Sequence, residues 1–359
     1  MFLSRSVLGV ILFASLLLFP ANSIRLFKAG DVSGLFMEAP VYQNGPQCPV
    51  LSKQTLICDP STVHIAMTID PEYLRGTIAS IHSILKHGSC PQNVLFHFIA
   101  SDSSSVDANL YDWVLKSSFP SLSFKVYVFQ EKLVKNLISS SIRQALESPL
   151  NYARNYLADI LETCIERVIY LDSDTIVVDD IQKLWSINLT GSRVIGAPEY
   201  CNANLGKYFT DDFWSNPEFA KHFQGMKACY FNTGVMVMDL GRWRQGDYTR
   251  EIERWMRIQK DKRIYELGSL PPFLLAFGGD VEAIDHRWNQ HGLGGDNLVN
   301  SCRPLHPGPV SLLHWSGKGK PWVRLDANRP CSVDFLWAPY DLYKFKQKQP
   351  LDGLGLDSL

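Results

Sequence analysis

From residue 63 onward, short apolar runs alternate with amphipathic stretches. Val63-His-Ile-Ala-Met-Thr68 is apolar and ends just before the turn formers Asp70-Pro71, which predicts a buried strand. Leu74, Ile78, Ile81 and Leu85 then recur at the spacing of one helix face. Val94 to Ala100 predicts a second strand, residues 106–117 a helix and Phe124 to Phe129 a third strand. A helix is expected from Asn151 to Glu162, followed by a strand from Arg167 to Leu171. Asp172-Ser173-Asp174 comes next, and the apolar strand Ile176 to Val178 resumes at once. Strand and helix in alternation predict an α/β protein with a mostly parallel sheet and helices on its faces. Beyond residue 190, Gly-rich turns and short apolar runs predict a less regular, mixed half, and no internal repeat is visible.

Of the 359 residues, 46% are hydrophobic, ample for one large core. A formal charge of −1 leaves no basic excess to hold nucleic acid by counterion release, so that class of partner is set aside. Arg5 is the single charge before an apolar run from Val7 to Phe19, closed by Pro20-Ala-Asn-Ser23. About 20 apolar residues are needed to span a bilayer as a helix. The run therefore reads as a signal peptide over residues 1–23, with a short retained anchor as the alternative. Cys48, Cys58, Cys90, Cys164, Cys201, Cys229, Cys302 and Cys331 include no Cys-x-x-Cys pair, which argues against zinc and allows disulfides in an oxidising compartment. Eight cysteines permit roughly a hundred connectivities, and the sequence chooses none. Asn188-Leu-Thr190 is a sequon for an N-glycan at Asn188. Together these features point to the secretory pathway, in the lumen of the Golgi or endoplasmic reticulum.

Candidate chemistry gathers at two places. Asp172-Ser173-Asp174 stands where a hydrophobic strand ends, and ligands of open α/β sheets collect beyond the carboxyl ends of strands. Carboxylates one residue apart on an extended strand point the same way. They offer two hard oxygen donors to Mn²⁺ or Mg²⁺ bridging a diphosphate; the bland alternative is a turn or helix cap. The second place is His314-Trp-Ser-Gly-Lys-Gly-Lys-Pro-Trp322, after the apolar Val310 to Leu313. Here His314 would complete the metal's ligands, and Gly317 and Gly319 would let backbone approach a phosphate. Lys318 or Lys320 would meet the diphosphate leaving group. The alternative is a Gly-rich surface loop with an exposed lysine pair.

Val63 to Tyr73, Tyr170-Leu-Asp-Ser-Asp174, Phe231-Asn-Thr-Gly-Val235 and His314 to Trp322, in that order, resemble glycosyltransferase family 8. This is the retaining, GT-A-fold family that includes glycogenin and bacterial lipopolysaccharide galactosyltransferases. Leu270-Pro-Pro272 and His286-Arg-Trp-Asn-Gln-His-Gly-Leu-Gly-Gly295 are similar to its plant galacturonosyltransferase-like group. The resemblance implies a GT-A-type fold: a Rossmann-like, mostly parallel central sheet flanked by helices, with an irregular acceptor-side half. It covers about residues 61–340, within the catalytic domain that composition and pattern place over 61–345, after a Gly- and Pro-rich lead-in over 24–60 that Cys48 and Cys58 could pin and before a patternless tail over 346–359. Asp172, Asp174 and His314 inherit the metal, manganese with magnesium as alternative. Thr68, Asp70 and Tyr73 fall at the uridine, a helix cap being the alternative for Tyr73, and Ser173 joins the donor-binding set. Arg154, in Asn151-Tyr-Ala-Arg154, matches an arginine that reaches the donor sugar; the alternative is a surface arginine paired with Asp159 or Glu147. Asn232 and Gly234 fall beside sugar and acceptor, and Gly317 and Lys320 at the diphosphate.

The implied reaction is retaining transfer of a sugar, galacturonic acid by this resemblance, from a UDP-sugar donor to a cell-wall polysaccharide or oligosaccharide such as pectin or xylan. Asp172, Asp174, Asn232 and Lys320 would carry it, and a membrane-anchored glycosyltransferase partner would retain the protein. The chain departs from bacterial and glycogenin-like members at Leu270-Pro-Pro272, where they carry a polar candidate nucleophile. That favours front-face attack assisted by the leaving phosphate, with Asp280, Asp285 and Asp296 as loop carboxylates that otherwise serve turns. It also keeps open a second class, a catalytically inactive scaffold subunit of a polysaccharide-synthesis complex. A nucleotide-sugar hydrolase would need an activated water and a base that the sequence does not present. His286, His291 and His306 lack the helical pairing of a second metal site and read as part of a flexible acceptor loop. Trp288, Trp315, Trp322 and Trp337 read as core before sugar-stacking faces.

Overall fold

A computed structural model describes residues 35–52, 56–103, 108–140, 144–201, 208–226, 229–295 and 302–344. The expected signal peptide, the expected tail and Asp296 lie outside the described residues. Strands β1 (Val63–Thr68), β2 (Val94–Ser101), β3 (Ser123–Phe129) and β4 (Arg167–Leu171) are parallel, in the spatial order β3-β2-β1-β4. Past β4 the sheet continues through β8 (Val235–Asp239), antiparallel to it, to β6 (Ile195–Tyr200). On β6 lie β7 (Tyr230–Phe231), antiparallel, and β9 (Glu282–Ile284), parallel. β5 (Thr175–Val177) pairs instead with β10 (Leu312–His314) in a separate antiparallel ribbon.

β1 and β2 are buried at almost every position, as a sheet covered on both faces requires. Alternate residues of β1 feed two cores: Ile65 and Met67 pack with Ile78, Ile81 and Phe98, whereas Ala66 packs with Ile99, Tyr170 and Met236. Helix α1 (Leu74–His87) links β1 to β2, and α2 (Ala108–Ser118) links β2 to β3. Trp315, Trp322 and Trp337 form a third cluster with Ala79, Ile176 and Leu313, and Trp288 is buried in the second.

Two elements differ from expectation. The segment expected as a helix over 151–162 is a 3-10 helix, Pro149–Tyr156, followed by a single α-turn, Leu157–Ile160. Tyr152 to Ala158 are all buried, so tertiary packing overrides the winding that an exposed polar face would favour. Arg154 Nε also donates to the Asn151 carbonyl, three residues back (3.0 Å). The apolar stretch after Asp174 leaves the central sheet for the ribbon, because Thr175 Oγ1 closes a turn on the Asp172 carbonyl (2.9 Å).

All eight cysteines pair: Cys48–Cys90, Cys58–Cys164, Cys201–Cys229 and Cys302–Cys331. This fits the secretory pathway. No helix among the described residues is long and apolar enough to cross a membrane. Because the chain runs from β1 outward to β2 and β3 and then returns to β4 on the other side, the crevice between the ends of β1 and β4 is a topological switch point.

Candidate active site

Asp172, Ser173 and Asp174 turn out of β4 at that crevice. The Asp172 N–H donates to the Gly234 carbonyl (2.8 Å), and the Trp315 N–H donates to the Asp174 carbonyl (2.9 Å). Ser173 Oγ donates to the Thr68 carbonyl at the end of β1 (2.7 Å). The turn is thus tied to three other segments, and its side chains converge on His314. His314 Nε2 lies 3.1 Å from Asp174 Oδ1 and 3.7 Å from Asp172 Oδ2. One ligand atom from each of the three residues falls within 4.8 Å of the others. His314 is 1% exposed, its Nδ1 meets Asn289 Oδ1 at 3.0 Å, and its Nε2 has no hydrogen-bond partner. A buried ring nitrogen left open between two carboxylates is a donor set that fits a divalent cation.

Lys320 caps the short helix α3 (Pro321–Asp326) and is buried. Its Nζ donates to Asp174 Oδ2 and to the Trp315 carbonyl (2.9 Å), and sits 5.3 Å from the centre of the Tyr73 ring. Burial alone would raise the Asp174 carboxyl, but the Lys320 ammonium beside it overrides that and holds it well below the usual carboxylate range. Lys318, the other candidate cation, is exposed.

Arg154 is 6% exposed, which excludes a surface arginine paired with Asp159 or Glu147. Its NH2 meets Asp172 Oδ1 at 3.1 Å, its NH1 donates to the Thr233 carbonyl (2.8 Å), and its guanidinium lies over the Tyr170 ring. Tyr170 Oη donates to the same Asp172 oxygen (3.0 Å). Gly234 touches the cluster from β8: a Cβ there would stand 2.4 Å from His314 Cε1 and 2.5 Å from Asp172 Oδ2. The Gly234 N–H donates to Asn232 Oδ1 (2.9 Å).

At the end of β1, Thr68 accepts Ser173 through its carbonyl, and Asp70 Oδ1 accepts the Tyr73 N–H (2.8 Å) at the start of α1. Tyr73 occupies the N-cap position, and its ring meets Trp322 edge-on at 6.0 Å. Gly317 has φ of +113°, and a Cβ would stand 2.1 Å from the Gly295 carbonyl oxygen. Its glycine requirement is thus already met by two interlocking turns, apart from any phosphate.

Tyr170, Thr233 and Asn289 were missed by sequence reasoning. Tyr170 was findable, since it precedes Asp172 by two on one strand and so shares its face. Asn289 lay inside the 286–295 motif, but no spacing rule connects it to His314. Asp280 is exposed and 3.8 Å from Arg193 Nε, and Asp285 accepts the Arg287 N–H (2.9 Å), so they serve an ion pair and a turn. His286 and His291 stack on Tyr200, with His306 edge-on to it. A further group of ligand types, Glu199 with Cys201 and Cys229, is spent on the disulfide.

A sequence profile described as Glycosyl transferase family 8 matches residues 64–326 and so spans both halves of the site. The chain belongs to this family. Among its relatives, "Probable galacturonosyltransferase-like 10" of Arabidopsis thaliana is 69% identical over 92% of this chain and 91% of its own. "Probable galacturonosyltransferase-like 6" of the same plant is 60% identical over 95% and 96%. Among solved structures, the galactosyltransferase LgtC with donor and acceptor sugar analogues aligns with a TM-score of 0.57 at 20% identity, over 78% of this chain and 95% of that one. The bifunctional glycosyltransferase WbbM aligns with a TM-score of 0.54 at 15% identity, over 83% and 53%. The family 8 chain thus has the GT-A glycosyltransferase fold its sequence predicts.

Proposed function

We propose that this family 8 chain transfers galacturonic acid, with retention, from UDP-galacturonic acid to a cell-wall polysaccharide in the Golgi lumen. The observation that carries the reaction class is the convergence of Asp172, Asp174 and the open His314 Nε2 beside the buried Lys320 at the switch point. Asp172, Asp174 and His314 would hold Mn²⁺, or Mg²⁺, which when bound neutralises charge on the diphosphate as the glycosidic bond breaks. Lys320 adds a fixed cation on the same side, already oriented by Trp315 and Asp174. Arg154 and Tyr170 fix the Asp172 carboxylate, and Asn232 and Gly234 line the sugar side. Thr68, Asp70 and Tyr73 would take the uridine, and Ser173, Gly317 and Lys320 the rest of the donor. The helix Leu270–Phe277 starts with Leu270-Pro271-Pro272, both prolines buried. It offers no carboxylate nucleophile, which supports front-face attack by the acceptor hydroxyl. The donor sugar rests on the names of the relatives.

Release of UDP from a panel of UDP-sugars tests this, with Mn²⁺ or with chelator, beside an Asp174→Ala control. The expected result is Mn²⁺-dependent release from UDP-galacturonic acid, lost in the control. Release from another donor alone would overturn the sugar assignment. UDP binding without release from any donor, acceptor present, would move the site to the scaffold reading.

A further inference from the structure

We infer that Asn289 sets the tautomer of His314 and so aims the lone pair of that histidine at the cation site. The inference rests on the metal reading of that site. It starts from a backbone group whose polarity is not in question. The Gly234 N–H can only donate, and it points at the Asn232 side-chain amide (2.9 Å), so the atom it meets is Oδ1. That oxygen in turn faces the Asn289 side chain at 3.3 Å, which must present its NH₂ there. The other end of the Asn289 amide, Oδ1, is thereby left against His314 Nδ1 at 3.0 Å. An amide oxygen accepts, so Nδ1 carries the proton, and a neutral imidazole then bears its lone pair on Nε2. Nε2 is the atom beside Asp172 and Asp174 that has no hydrogen-bond partner.

Asn289 is built to hold this pose. It is 0% exposed. Its N–H donates to the His286 carbonyl (2.9 Å), and its own carbonyl accepts the His291 N–H (2.8 Å) and the Tyr200 hydroxyl. Its neighbour Gln290 bridges in parallel to β10: the Gln290 N–H donates to Leu312 (2.9 Å), and the His314 N–H to Gln290 (3.1 Å). The backbone register therefore fixes Asn289 beside the histidine it orients. Partners of this kind fix the ring orientation of a metal-binding histidine and raise its basicity.

The first test is a long-range ¹H–¹⁵N spectrum of the chelator-treated chain labelled at histidine, with His314→Gln to assign the ring. His314 protonated on Nδ1 is expected; protonation on Nε2 overturns the inference. The second is Mn²⁺ affinity by water-proton relaxation. Asn289→Leu should weaken it by about 10–100-fold. Asn289→Asp should hold Mn²⁺ at least as tightly as the unaltered chain, because a carboxylate still accepts from Nδ1 although the donor to Asn232 is gone. Equal losses in both variants would assign the effect to the Asn232 contact and overturn the orienting role of Asn289. So would an unchanged Asn289→Leu beside a defective His314→Ala. An unaltered chain that takes up no Mn²⁺ would sink the metal reading itself, while the spectrum still decides the tautomer.

Discussion

Beside Asp172 and His314, Gly234 leaves no room for a side chain. Adding a Cβ at this position would place carbon 2.4 Å from His314 Cε1, 2.5 Å from Asp172 Oδ2 and 2.8 Å from Asn232 Oδ1. None of these side chains can retreat freely, since Asp172 is held by Arg154 and Tyr170 and His314 by Asn289. Gly234→Ala should therefore cost about 100-fold in turnover, the scale set by ångström misplacement of reacting groups. UDP release beside a thermal melt checks this; full activity would show that the cluster tolerates displacement. The two aspartates and the histidine were legible in the sequence because an Asp-x-Asp and a histidine at strand ends are local signals, although the aspartates converge through the turn after β4 and not by alternation along an extended strand. The surroundings of Arg154 were not legible. Its partners Thr233 and Asp172 come from other elements, and no spacing within Asn151-Tyr-Ala-Arg154 reports a buried fork.

Between β1 and β2, away from the catalytic turn, two buried histidines are joined in a line. His64 Nδ1 meets His97 Nε2 at 2.9 Å, His97 Nδ1 meets Tyr127 Oη at 3.0 Å, and Tyr127 donates to Glu162 (2.7 Å). The tyrosine spends its proton on the carboxylate, so each histidine passes its own Nδ1–H along the line and both stay neutral. Burial lowers His64 to about 4 and His97 to about 3. Above the ordinary histidine value of 6.5 neither state of the chain binds the proton, and this contribution to stability is complete. As pH falls through 6.5 the unfolded chain takes up protons that the folded chain refuses, until about pH 4 for His64 and about pH 3 for His97. Each histidine can cost up to about 1.4 kcal/mol per pH unit in that window. Urea midpoints should fall from pH 7 to pH 5, and the fall should shrink in His97→Gln; an equal fall in that variant would remove the pair as its cause. At this scale the strands were legible because continuous apolar runs and helix-period spacing report burial directly. The segment 149–156 was not, since its 3-10 winding goes with the burial of Tyr152 to Tyr156 against other elements.

Across the whole molecule, covalent cross-links hold together what the chain order separates. Cys302, ahead of β10, is bonded to Cys331, just after α3, and the closed stretch contains His314, Gly317 and Lys320. None of the other three disulfides encloses the His314 loop. The sequence could not choose this pairing, because connectivity depends on which loops meet in space. In a chain-entropy view a loop of this size contributes about 3–4 kcal/mol, and here the ordering falls on catalytic residues. Arg324, inside the loop, pairs with the buried Asp334 just beyond it, which also accepts the Trp315 indole N–H (2.9 Å) and the Cys331 N–H (2.8 Å). Freed of its covalent tie, the loop would still carry this network but would lose the closure that keeps it over the aspartates. The double variant Cys302→Ser/Cys331→Ser should therefore weaken Mn²⁺ and UDP binding, whereas Cys48→Ser/Cys90→Ser should lower the melting temperature with binding nearly intact. Calorimetric titration of UDP with Mn²⁺, run on both variants below their melting temperatures, separates the two effects. Equal losses of binding in the two would mean that the cross-links stabilise the chain as a whole and that the His314 loop holds its place without one.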